Sequence, residues 1–295
     1  MIVSASYKTD IPAFYGEWFI NRLKAGYCCV RNPYGSGSFR VSLRPEDVDG
    51  IVFWTRNIGP FLPRLPEVRR RGIPFVVQYT INAYPRALDA AVPDAGRSIE
   101  HMKALHGEYG PRVAVWRYDT IVYSSITPPD FHLRNFERIA RELEGITDEV
   151  VVSFAQIYRK TRLNMDRAAR KAGFTWDDPP AAAKRILLSA LAECARSRGM
   201  KLTVCGQREF LSDGIADARC IDPDRLSDVA GRPIRVPARA HRKDCGCYQS
   251  RDIGEYDTCP HGCVYCYAVG SHDRARRRYR AHIPTGEFLF SEVSS

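Results

Sequence analysis

Short β-prone runs alternate with helix-forming segments through the first 205 residues, and this alternation restricts the chain to a small set of architectures. Ile2 to Ser6 opens as a strand. Thr9-Asp10 offers a helix N-cap with Pro12 just inside, and the helix predicted over Pro12 to Lys24 is stopped by Gly26. Further strands are predicted at Gly50 to Thr55, Pro74 to Thr80, Arg112 to Arg117, Glu149 to Phe154 and Lys201 to Cys205. Helices fall between them at Arg97 to Gly107, Asp130 to Leu143 and Pro180 to Arg198. Six strands separated by helices imply parallel βαβ units, and a partial or complete (β/α) barrel-like core over residues 1–210 is expected ahead of an open doubly wound sheet, which the same pattern allows. No G-x-G-x-x-G or P-loop follows the first strand, so a nucleotide fold of either kind would lack its phosphate cradle. Past Gln207 the alternation fades. Residues 211–295 are expected to be a Cys-rich extension of loops and short helices packed on the barrel mouth.

In parallel α/β folds the loops at the C-terminal strand ends converge, and function gathers there. Each predicted strand end is polar: Ser4, Ser6, Thr9 and Asp10; Trp54 to Asn57; Gln78 to Asn82; Trp116 to Asp119; Ser153 and Gln156; Cys205 to Glu209. From this set Arg117, Asp119 and Glu209 are the candidate catalytic residues, and Arg56, Asn57 and Gln78 the candidate cofactor-binding ones. A plain structural ion pair is the competing reading for Arg117 and Asp119.

The chain has 295 residues, with 44 Lys+Arg against 34 Asp+Glu and a net charge of +10. The basic residues comprise 8 Lys and 36 Arg, a bias that reads as codon usage before it reads as a nucleic-acid site. Arg69-Arg70-Arg71 and the run from Arg274 to Arg280 are the two concentrations, and a solvated helix face explains the second as well as phosphate contacts do. The longest apolar runs fall far short of a bilayer span, and MIVSASYKTD lacks the apolar stretch of a secretory signal. A cytoplasmic, non-membrane protein is expected. In that compartment 10 Cys point to metal or redox chemistry in preference to disulfides.

The sharpest motif is Cys259-Pro260-His261-Gly262-Cys263-Val264-Tyr265-Cys266, a C-x3-C-x2-C spacing. Three thiolates this close can hold three irons of a [4Fe–4S] cluster and leave the fourth open to a chelating ligand. Gly262 allows the loop to curl so that the sulfurs face inward. Cys245, Cys247, Cys220 and Cys205 can ligate a second [4Fe–4S] cluster or a structural zinc. Cys28, Cys29 and Cys194 read as small buried apolar residues. A zinc knuckle using Cys245, Cys247, Cys259 and Cys263 is the alternative for the C-terminal set, and His261 reads as a polar loop residue beside the cluster.

The C-x3-C-x2-C spacing, with Tyr265 directly before the third Cys, resembles the motif of the radical S-adenosylmethionine superfamily. The chain as a whole resembles the bacterial family named domain of unknown function 1848. That resemblance runs through Ser4 to Ser6, Thr9 to Ala13, Val52 to Thr55 with Asn57, Gln78 to Thr80, Trp116 to Asp119, Cys220 to Asp222, Lys243 to Cys247, Asp252 to Tyr256 and Cys259 to Ala268. The two resemblances imply a cluster on Cys259, Cys263 and Cys266, S-adenosylmethionine bound with Tyr265 near its adenine, and a functional lead-in at Asp252 to Tyr256. The implied enzyme cleaves S-adenosylmethionine reductively to a 5′-deoxyadenosyl radical. It acts on an unidentified small molecule or peptide and takes electrons from a flavodoxin- or ferredoxin-type donor. Two other classes remain open at this level: a zinc-stabilised nucleic-acid-binding protein, and an iron–sulfur carrier or sensor without S-adenosylmethionine chemistry.

Overall fold

The computed structural model describes residues 1–32, 35, 37–242 and 244–291. Lys243 of the family resemblance lies outside them. In chain order the elements are β1 (Ile2–Ala5), α1 (Ile11–Phe14), α2 (Gly16–Ala25), β2 (Tyr27–Arg31), β3 (Ser38–Ser42), β4 (Gly50–Thr55), α3 (Leu65–Arg70), β5 (Phe75–Thr80), α4 (Ala95–Tyr109), β6 (Ala114–Ile121), β7 (Tyr123–Ser124) and α5 (Pro129–Glu142). They continue with β8 (Glu149–Phe154), α6 (Arg159–Ala172), β9 (Trp176–Asp177), α7 (Ala181–Arg196), β10 (Lys201–Val204), β11 (Ala216–Asp217), α8 (Pro223–Ala230), β12 (Ser250–Asp252) and α9 (His272–Arg280).

Eight strands form one sheet in the order β11-β10-β8-β6-β5-β4-β1-β12, every neighbouring pair parallel. The order never reverses from β1 to β11, so the sheet is not doubly wound. Among the described residues no pairing joins β11 to β12. Side chains alternate across each strand. Val3, Ile51, Phe53, Val77, Trp116 and Val152 face the core built with α1, α2, α4, α5 and α7. Ile2, Val52, Val76, Val115 and Val151 face the other way and pack on Leu226 of α8 and on Ile221, Cys220, Cys245 and Cys247. Helices on one face follow from the right-handed crossover of successive βαβ units.

The segment after residue 210 therefore does more than was expected of it. It supplies both edge strands of the sheet, β11 and β12, and a helix on the face the other helices leave uncovered. Arg225 of α8 is 3% exposed and is held by Asp148 at 2.9 Å and Glu149 at 2.9 Å, near the N-terminal start of β8. Gly50 at the start of β4 admits Leu226, since a Cβ there would stand 2.8 Å from the Leu226 side chain.

Several local expectations are corrected. The helix predicted over Pro12 to Lys24 is two helices, broken at Tyr15 with φ −126 and ψ 23, whose hydroxyl donates to Thr258 O at 2.6 Å. The strand predicted to end at Arg117 runs on to Ile121, because β8 continues to pair with it. The β2–β3 hairpin and α6 went unpredicted. Cys28 is buried as expected, but Cys29 is half-buried with its Sγ 3.7 Å from Glu287 Oε2, and Cys194 is half-buried on α7.

Candidate functional site

The loop that carries Cys259, Cys263 and Cys266 is anchored at both flanks. β12 ends on Asp252, beside the end of β1. Its carboxylate accepts from Ser4 Oγ at 2.8 Å, Ser6 Oγ at 2.9 Å, Tyr7 N at 3.1 Å and Gly254 N at 3.0 Å. Lys8 Nζ lies 3.4 Å from the same carboxylate. Thr9 Oγ1 donates to Glu255 O at 2.7 Å. Beyond the loop, Ser271 caps α9 by accepting from Arg274 N at 3.3 Å.

The loop itself lies on the C-terminal ends of β1, β4 and β5. Its His261 ring meets Asp10 Oδ2 at 2.8 Å through Nε2, and Ala91 N donates to His261 O at 2.9 Å. Val264 N donates to Leu88 O at 3.0 Å. Asp10 also accepts from Thr55 Oγ1 and Arg56 N, each at 2.7 Å, so one carboxylate ties the first helix, the end of β4 and the cysteine loop together. Gly262 turns the loop at φ +76, in the left-handed region where a side chain is strained.

Arg56 is the centre of the polar contacts. Its Nη1 donates to Cys263 Sγ at 3.3 Å and to the Tyr265 hydroxyl, and its Nη2 meets Asp89 Oδ2 at 2.6 Å. Tyr265 donates to Asp89 Oδ1 at 2.7 Å, and Asn82 Nδ2 lies 3.4 Å from the same hydroxyl. Burial works against the charge on Arg56, but Asp89, Cys263 and Tyr265 together hold its guanidinium well above the ordinary value. Burial also pushes the Cys259 thiol up to about 12 and Cys263 well above the usual range, with Arg56 pulling Cys263 down. Thiols in this setting become thiolates only with a further positive charge beside them. Ala268 N donates to Cys266 Sγ at 3.3 Å. Three sulfurs facing N–H donors in a largely buried loop are a donor set that suits a thiolate-bound iron cluster.

The other four cysteines form a second buried group. Cys205 follows β10, Cys220 lies between β11 and α8, and Cys245 and Cys247 precede β12. Cys205 and Cys220 sulfurs are 3.5 Å apart. Cys247 hydrogen-bonds in turn with Cys220 and Cys245, and the bond from Cys247 holds the Cys245 thiol down at about 7 against its burial. Arg117 Nη1 donates to Cys220 Sγ at 3.1 Å and to Gln78 Oε1 at 3.0 Å, while Gln78 Nε2 donates to Cys220 O at 3.0 Å. Arg117 also pairs with Asp119, which accepts from Ser153 Oγ as well. Burial opposes the Asp119 charge, but Arg117 and Ser153 hold its carboxyl below the usual range. Among the described residues, no three His, Cys, Asp or Glu side chains converge on one point as ligands of a single ion. The thiolates of an iron cluster bind separate irons and need no such common point.

The structure thus brings Arg56 and Tyr265 to the three-cysteine loop, and Gln78, Arg117 and Asp119 to the four-cysteine group. Asn57 turns away from both, its Oδ1 accepting from Gly59 N at 3.2 Å. Glu209 sits exposed on a short 3-10 turn, apart from them. Asp89 and Arg242 were not anticipated, and Asn82 was marked only as part of the polar end of its strand. Asp89 belongs to a 14-residue connection between β5 and α4, and that loop's length is the one signal that marked it. The Arg run of α9 is partly spent on its own fold: Arg276 pairs with Asp273, Arg274 with Asp257, and Arg278 Nη1 donates to Tyr256 O at 3.0 Å. Of the upstream basic cluster, Arg70 and Arg71 pair with Glu67.

The profile of the family described as domain of unknown function (DUF1848) matches residues 2–268, from β1 through the whole cysteine loop. The chain belongs to the DUF1848 family. In this DUF1848 protein the match spans both cysteine groups and stops before α9. No curated protein matches it. Among solved structures, a triazine hydrolase variant shares 14% identity over 64% of this chain and 44% of that chain, at a TM-score of 0.30. The DUF1848 chain spans less than half of that structure, and likeness at this level bears on neither fold nor activity. Among the described residues, no helix is long and apolar enough to cross a membrane.

Proposed function

We propose that this protein is a radical S-adenosylmethionine-type iron–sulfur enzyme on an incomplete (β/α) barrel. One observation carries the reading: the C-x3-C-x2-C loop, though late in the chain, is hydrogen-bonded to residues at the C-terminal ends of β1 and β4 through Asp10 and Arg56. That end of a parallel sheet is where reacting groups are assembled. The sequential strand order supports the barrel part of the reading, since a barrel's strands follow one another without reversal.

In this reading Cys259, Cys263 and Cys266 hold a [4Fe–4S] cluster. When bound, the cluster and S-adenosylmethionine supply one-electron cleavage of the sulfonium and a 5′-deoxyadenosyl radical. The chain's own residues bind and orient. Arg56 donates to Cys263 and is fixed by Asp89. Tyr265, held by Asp89, Arg56 and Asn82, offers a ring wall beside the loop. Arg117 and Asp119 present a buried charge pair toward the same mouth, to a polar substrate. A cytoplasmic setting with a flavodoxin- or ferredoxin-type donor fits such chemistry.

The test is incubation of anaerobically reconstituted, dithionite-reduced protein with S-adenosylmethionine, measuring 5′-deoxyadenosine. Release that depends on Cys259, Cys263 and Cys266 supports the reading. A protein that binds iron yet releases none is a carrier or sensor, and one that takes up zinc alone rejects the proposal.

A further inference from the structure

Among the described residues, Cys205, Cys220, Cys245 and Cys247 form a buried group of thiols outside the three-cysteine loop. All four are buried, at 5%, 2%, 7% and 5% exposure. They come from three separate connections, so the fold has been arranged around them. Gly246 makes the last pair possible. A Cβ there would stand 2.9 Å from Asp217 Oδ2 and 3.1 Å from Ala218 O, and only a glycine lets the Cys245-Gly246-Cys247 turn close against β11.

We propose that these four cysteines form a second, coordinatively complete iron–sulfur site. This goes beyond the proposed function, which needs the three-cysteine loop alone.

Two guanidiniums are aimed at the sulfurs, Arg117 from a buried position and Arg242 from an exposed one. Arg117 donates to Cys220 Sγ at 3.1 Å, and Arg242 donates to Cys205 Sγ at 3.1 Å through Nη2. Arg117 is already paired with Asp119, and a neutral thiol adds only a weak acceptor to it. Both contacts become charge-assisted when the sulfurs are thiolates, which is what metal binding makes them. The apolar wall of Val115, Val151, Ala218, Ile221 and Leu226 keeps water from the group.

Two features favour a cluster over one zinc ion. The C-x-C spacing is shorter than the C-x2–4-C usual for a structural zinc ribbon. N–H donors to sulfur are a recurring means of setting a cluster's potential. Four thiolates leave no iron open, so this site holds an electron without binding substrate.

The test uses the full chain reconstituted anaerobically with iron and sulfide. Wild type is expected to hold about eight irons, as two four-iron clusters. The triple variant Cys259→Ala, Cys263→Ala, Cys266→Ala is expected to keep about four, with acid-labile sulfide and an electron paramagnetic resonance signal on reduction. The double variant Cys205→Ser, Cys220→Ser is expected to lose that signal and keep the other. A triple variant that folds by circular dichroism but binds no iron, or binds one zinc instead, overturns the proposal. Should the triple variant fail to fold, the wild-type count decides, because about four irons rejects the second site. The converse pattern, iron in the triple variant and none in the double, leaves this proposal standing and sinks the proposed function. Arg242→Gln keeps every sulfur, and it should move the second signal's midpoint potential to a more negative value. An unchanged potential rejects the role given to Arg242.

Discussion

Arg56 and Asp89 meet at 2.6 Å while the same guanidinium reaches Cys263 Sγ at 3.3 Å, so a buried ion pair and a cysteine of the C-terminal loop share one side chain. The two residues lie on consecutive strand-to-helix connections, and the loop arrives from more than 150 residues further along the chain. Asp89 is 3% exposed and Arg56 12%, so neither charge is well served by water.

Asp89→Asn should therefore cost stability. Removing one partner of a buried pair leaves an uncompensated charge and typically costs about 3–5 kcal/mol. Urea denaturation of the variant against wild type measures it. A loss within error of zero would show that water reaches Arg56 and that the pair does not hold the loop.

Asp252→Ala removes the acceptor of four hydrogen bonds and strands Lys8, itself 9% exposed. A destabilisation of about 3–5 kcal/mol is expected, and the effect should be directional. Hydrogen exchange should rise through β12 and residues 253–266 more than in β5 or β6. A uniform rise across the sheet would contradict the anchoring role.

Gly262→Ala tests the turn between the first two cysteines. The left-handed φ of +76 costs an alanine about 1–2 kcal/mol. The new Cβ would also stand 3.1 Å from Ala90 Cβ. Iron content after reconstitution should drop with little change in the melting of the sheet. Full iron retention would mean that the loop's curl is not needed to gather the sulfurs.

His132 supplies a pH dependence remote from the cysteines. It is buried on α5, its Nδ1 2.9 Å from the Tyr118 hydroxyl and its Nε2 3.0 Å from Val122 O. Burial depresses its pKa to about 4. The unfolded chain, with a His value of about 6.5, binds the proton first as pH falls. The contribution is whole above about pH 6.5 and falls away toward pH 4, amounting to about 3 kcal/mol across the window and about 2 kcal/mol between pH 7 and pH 5. His132→Gln should flatten the stability profile in that range. Parallel profiles for variant and wild type would assign the acid sensitivity elsewhere.

Much of the core was legible because its signals are local. Gly50 to Thr55 and Glu149 to Phe154 match the observed strands end to end, and Asp10 caps a helix as its position implies. The C-x3-C-x2-C spacing and the group of four outlying cysteines were equally plain, and the structure draws each set together. Less visible were Asp89 and Arg242, single polar residues in loops whose composition sets them apart from no other loop. Asn57 and Glu209 were chosen for standing at strand ends, but a strand end says nothing about which way the following turn aims a side chain.

By itself, then, the sequence determined the succession of strands and helices and the supply of sulfur ligands, since hydrophobic period and residue spacing act over a few residues at a time. Only the tertiary structure decided that Ser250–Asp252 pairs with Ile2 to Ser4 at the sheet edge and that the cysteine loop lands on Asp10, Arg56 and Leu88. A three-residue strand has too few side chains to carry a readable pattern. Its partner is chosen by which sheet edge is open and by the buried acceptor at Asp252, which the donors of Ser4, Ser6 and Tyr7 satisfy only once the whole sheet exists.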